Sequence, residues 1–129
     1  MAGAPDDADF VVAAALVTKD ATQSLEMFIS DDGGDTFQWP GDLVDSAAGT
    51  QLTTILTMAV SKEVDGKRNI AAGGIDGING IGVVYRLEIG GLFGAWKDAS
   101  TYDGWDDDGA FTSTAVTTVK FAPSWAEDK

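Results

Sequence analysis

The sequence predicts an all-β fold, and three observations carry that expectation: short apolar or β-branched runs, turn residues packed between them, and the lack of a helical period. Seventeen of the 21 acidic residues are Asp, and 16 of the 129 residues are Gly. Both types favour turns and caps over helix interiors. No stretch of about 11 residues keeps apolar side chains at i, i+3, i+4 and i+7 free of Gly and Thr. With 44% apolar residues, 9% aromatics and four Trp, the chain has the means to bury a core, and its length suits one small domain.

The strands are expected at residues 10–18, 25–30, 52–61, 69–73, 80–89 and 115–121. In the first, Ala13 to Leu16 has helix-forming alanines, but Val11, Val12, Val17 and Thr18 around them favour a strand buried on both faces. The second runs into the Asp/Gly cluster 31–35, a turn. The third is β-branched between two polar clusters. The remaining runs repeat earlier ones. Displaced by 57 residues, Ala14 and Ala15 fall on Ala71 and Ala72, Phe28 on Tyr85, Gly33 and Gly34 on Gly90 and Gly91, and Trp39 on Trp96. Displaced by 63, Leu56 falls on Val119, Met58 on Phe121, Ala59 on Ala122 and Ser61 on Ser124. A self-offset near this length signals a propeller or solenoid.

Residues 29–37, Ile-Ser-Asp-Asp-Gly-Gly-Asp-Thr-Phe, resemble the Asp box, S-x-D-x-G-x-T-[FW], of sialidase-type β-propellers, also called bacterial neuraminidase repeats. Ser30, Asp32, Gly34, Thr36 and Phe37 stand at its positions. The chemistry is that of a hairpin fastener: the carboxylate and hydroxyls bond the turn backbone, Gly permits positive φ, and the aromatic packs between sheets. The counterpart at 87–93 keeps Gly91 but lacks the Ser, Asp and Thr. The stretch 119–129 is similar to an inner-strand ending of bacterial S-layer and cell-surface propeller repeats, and residues 4–12 to its continuation.

These resemblances imply β-propeller blades of four-stranded antiparallel sheets, about two per chain and incomplete alone. The implied division is a partial blade at 1–51 with the Asp box, a complete blade at 52–115 with the degenerate box, and the first inner strand of a further blade at 116–129. The resemblance also implies an extracellular or cell-surface location.

The formal charge of −13, with Arg68 and Arg86 the sole arginines, excludes nucleic acid as an expected partner, because phosphate affinity comes from Lys and Arg displacing counterions. The longest apolar run, 10–17, falls far below the ~20 residues of a membrane helix. Without Cys or His there is no thiol nucleophile, imidazole base or Cys/His zinc site. Two arginines cannot build the three-arginine cluster of a sialidase. No carboxylate pair sits in an apolar setting that raises one pKa. A non-catalytic protein is expected.

Three candidate sites remain. Asp103, Asp106, Asp107 and Asp108 offer hard oxygen ligands for Ca²⁺, the one cofactor to consider, though Gly104 breaks the EF-hand spacing and a solvated acidic loop is the simpler explanation. Trp105, inside that loop, is the candidate for stacking on a glycan, whereas Trp39 and Trp96 are assigned to packing between sheets. Val116, Val119 and Phe121 mark an inner strand offered to a neighbouring copy. The expected function is a structural module whose copies complete one another head to tail as a homo-oligomer, in a ring or lattice; the alternative is a glycan-binding module of a surface protein.

Overall fold

A computed structural model of the chain describes residues 1–19, 21–40, 52–77, 79–90, 95–99 and 113–125. Among these the fold is all-β without an α-helix. A three-stranded antiparallel sheet has the order β1-β2-β3, with β1 Ala2–Gly3, β2 Val11–Lys19 and β3 Thr22–Ser30. A four-stranded antiparallel sheet has the order β4-β5-β6-β7, with β4 Leu52–Val60, β5 Arg68–Asp76, β6 Ile81–Ile89 and β7 Lys97–Asp98.

Five of the expected strands are present, extended where turn residues permit. β5 runs through Gly73 and Gly74 because β4 and β6 pair it on both sides. The turn between β4 and β5 closes at Val64 and Lys67 around Asp65 and Gly66, whose φ values of 52° and 73° are those of a two-residue hairpin turn.

One expectation is corrected. Residues 113–122 are not a strand. They cross the four-stranded sheet: Gly82 N–H donates to the Ser113 carbonyl at 2.7 Å, Val116 N–H to the Gly74 carbonyl at 3.1 Å, and Val119 N–H to Thr57 Oγ1 at 3.2 Å. A strand needs a ladder, and the bonds that tie this segment to the sheet are scattered.

The register defines two faces on each sheet. One face of β2 and β3 presents Val12, Leu25, Met27 and Ile29, and it packs against Val60, Ile70, Ala72, Val83, Tyr85 and Leu87 of the second sheet. Val12, Met27, Ile70 and Tyr85 are fully buried there. The opposite face of the second sheet, with Gly73 and Gly82, lies under the 113–121 segment. A Cβ on Gly73 would sit 2.8 Å from Val116 and 3.0 Å from Val119. Glycine at this position is what lets the chain cross so closely.

Candidate functional site

The 30–37 turn brings Ser30, Asp32, Gly34, Thr36 and Phe37 together. Ser30 Oγ donates to Asp32 Oδ1 at 2.7 Å and accepts from Gly34 N–H at 2.8 Å. The Asp32 carboxylate accepts from Thr36 N–H at 2.9 Å and from the Thr36 hydroxyl at 2.6 Å. These donors, the Thr36 hydroxyl first, hold Asp32 down at about 2 against an ordinary value of 3.8. Gly33 and Gly34, at φ 77° and 98°, supply the left-handed backbone, and Gln38 then pairs with Ile29. Phe37 differs from expectation. Its ring lies beside Gly34 and stays 42% exposed instead of entering the space between the sheets. The turn is a fastener whose central carboxylate is already engaged by its own backbone.

Arg68 forms a second cluster that the sequence reading missed. Its side chain is buried, bonds the Asp6 carboxylate at 2.5 Å and the Ser61 carbonyl at 2.9 Å, and lies 4.7 Å from the centre of the Phe10 ring. Asp7 and Glu63 stand 3.8 Å away. The hydrogen bond from Arg68 holds Asp6 below the usual carboxylate range. This cation ties the 4–10 loop of the first sheet to the start of β5. Its surroundings are satisfied, so the cluster is a clasp between sheets.

The most informative geometry is the relation of the two sheets. β5 lies 57 residues after β2 at both ends, and β6 lies 59 after β3. The 77–80 turn is two residues longer than the 20–21 turn, which accounts for the change. Phe28 therefore corresponds to Leu87, and Glu26 to Tyr85, correcting the Phe28 to Tyr85 match. Gln38 lies opposite Ile29, and extending the register of Arg86↔Lys97 by two residues sets 95 opposite 88, so Trp39 still corresponds to Trp96.

With this alignment the buried face of the second sheet, carrying Ile70, Ala72, Tyr85, Leu87 and Trp96, corresponds to the outward face of the first sheet. That outward face carries Ala13, Ala15, Glu26, Phe28 and Trp39. Trp96 is 3% exposed and Trp39 is 55% exposed. Trp39 is thus not packed between sheets as expected; its Nε1 donates to Glu26 Oε2 at 2.7 Å on an open surface. Alternation within the strands, aligned by the repeat, was the signal that could have located this face.

Among the described residues, clefts border the sheets. One of about 310 Å³ lies between Phe10, Ile29 and Gln38 on one side and Leu87 to Gly90 on the other. Another of about 300 Å³ is lined by Met1, Ala14, Leu16 and Leu25 with Leu56 and Met58. Asp103, Trp105, Asp106, Asp107 and Asp108 lie outside the described residues. Among the described residues, no group of three or more acidic side chains converges as a metal site, and no helix is long and apolar enough to cross a membrane. Val116 and Val119 lie against Gly73, and Phe121 meets Trp125 edge to face at 5.0 Å. No family model, curated protein or solved structure matches the chain.

Proposed function

We propose that this chain is a non-catalytic assembly module whose copies associate head to tail, the outward face of the first sheet seating on the far side of the second sheet of another copy. The observation that carries this reading is the pair Trp39 and Trp96: equivalent positions on equivalent faces, one open and one buried. A face whose counterpart is buried against a neighbouring sheet has the shape to take such a neighbour. In the second sheet that neighbour is the first. For the first sheet, a second copy supplies it.

Each copy offers a head and a tail that differ, so the contact is heterologous. It closes into a ring if its rotation allows and otherwise runs on as a filament. Two stacked sheets with a repeat fit blades of a propeller, where three or four copies would supply six or eight sheets. The resemblance of the 30–37 turn to the Asp box, now joined by its hydrogen bonding, supports that architecture and the cell-surface location that goes with it.

The test is native mass spectrometry and sedimentation of the chain at rising concentration in 0.1–0.5 M salt. Whole-number multiples of one copy are expected, weakened by Trp39→Ala. A single copy throughout would overturn the reading. A second reading, glycan binding, is favoured by the same exposed Trp39, whose indole beside Glu26 offers the stacking face and acceptor that sugars use. Binding to a glycan by a single copy, lost in Trp39→Ala, would select it.

A further inference from the structure

Resting on that head-to-tail reading, we propose that two copies are joined by strand addition: residues 115–122 of one copy pair antiparallel with residues 14–19 of β2 in the next. β1 covers only Val11 and Val12 of β2. Beyond them, residues 13–19 have no strand on that side among the described residues. The Phe10 carbonyl accepts from Ala4 N–H on that edge. Strand alternation then turns the N–H and C=O groups of Ala14, Leu16 and Thr18 the same way. The 300 Å³ cleft runs along it, and Leu16 and Leu56 beside it are 62% and 47% exposed. An apolar uncovered edge is a template for another strand.

The repeat identifies the occupant. β4 is the strand that covers β5, the counterpart of β2, and the 63-residue offset carries β4 onto 115–123. Transferring the observed pairs Leu52↔Asp76, Ile55↔Gly74, Met58↔Ala72 and Ala59↔Ala71 gives Ala115 opposite Lys19, Thr118 opposite Val17, Phe121 opposite Ala15 and Ala122 opposite Ala14. The added strand stops at Ala14, just short of the two residues that β1 holds, so the two coverings meet without collision.

The donor is already in position. Val119 lies on Gly73, and their counterparts Leu56 and Leu16 line one cleft in the same chain. The segment thus sits on the second sheet at the place that β4 takes beside the first. It has the position of an inner strand, and pairing with a second copy would supply its ladder.

The experiment uses the full chain, which contains no cysteine. Val17→Cys combined with Thr118→Cys places two thiols at a non-hydrogen-bonded pair, where Cβ atoms lie about 4.5–5.5 Å apart. Oxidation should link most of the protein into covalent multimers that a reductant dissolves. Val17→Cys with Thr117→Cys, whose counterpart Thr54 pairs with Ile75 so that it is one residue out of register and points to the other face, should give at least tenfold less. Multimers by mass without this preference would overturn strand addition and leave head-to-tail packing of faces standing. A disulfide confined to one chain would also overturn it. Single copies in every condition would defeat the head-to-tail reading itself.

Discussion

Asp32 receives three donors from within a single turn, the Thr36 hydroxyl, the Thr36 N–H and the Ser30 hydroxyl, and all three prefer it ionised. Its value falls to about 2 in the folded chain against an ordinary 3.8. The folded state therefore binds that proton less well than the unfolded one, so the contribution is complete above pH 4 and is lost as pH falls toward 2. Asp6, lowered by Arg68, adds in the same direction. We expect the melting temperature to fall between pH 4 and pH 2, with a shallower fall in Asp32→Asn. Asp32→Ala at neutral pH should lower the melting temperature by several degrees while leaving association between copies in place. Loss of association without loss of melting temperature would show the turn to be a contact surface instead of a fastener. Arg68→Ala removes a buried cation from Asp6, the Ser61 carbonyl and the Phe10 ring. Because its acidic partners are partly open to water, the cost should be about 2 kcal/mol, below that of a fully buried pair, readable by urea unfolding.

At the scale of strands, Trp39 and Trp96 separate stability from association. Trp96→Ala empties a buried site and should cost about 3–5 kcal/mol. Trp39→Ala should change the stability of a single copy by less than about 1 kcal/mol and weaken association instead. Equal losses of stability in the two variants would contradict the assignment of their faces. The strands themselves were legible because apolar runs between Asp/Gly turns leave few other folds, and the bonding of Ser30, Asp32, Gly34 and Thr36 was legible because it is local. Beside the Arg68 cluster and the exposure of Phe37, three further features were not. The β6 alignment depended on the lengths of two turns, which a fixed 57-residue offset conceals. Residues 115–121 have the composition of a strand, but composition does not supply the second strand a ladder needs. The exposure of Trp39 depends on which sheet has a neighbour, and its sequence surroundings resemble those of the buried Trp96. The glycines of β5 carry a further expectation. A Cβ on Gly74 would collide with the Thr54 carbonyl, where the β4–β5 register shifts. Gly74→Ala should therefore destabilise strongly, whereas Gly66→Ala meets open space and only the strain of its φ of 73°.

For the whole molecule, the repeat turns one contact inside the chain into a forecast of a contact between copies. Within the chain, Tyr85 and Met27 face each other's sheets in the core and are both fully buried. Glu26 occupies the position equivalent to Tyr85, and Arg86, 59 residues after Met27, occupies the position equivalent to Met27. In head-to-tail stacking the apolar pair is therefore replaced by Glu26 of one copy against Arg86 of the next. Arg86 holds its cation 6.0 Å from the Trp125 ring, on the face that the 113–125 segment crosses, so it is placed on the correct side. Net repulsion between copies of charge −13 outweighs this single attraction at low ionic strength. Association should strengthen with salt as repulsion is screened over the ~10 Å Debye length at 0.1 M. Glu26→Arg sets two cations against each other and Arg86→Glu two anions, and each should weaken association about tenfold, corresponding to ~1.4 kcal/mol. The double variant restores opposite charges in reversed order and should recover most of that loss, a coupling that single-site damage to Trp39 or Trp125 packing cannot produce. Sedimentation of the four proteins at one fixed salt concentration measures it. Simple addition of the two single losses would mean that these side chains do not meet, and that copies stack in some other register.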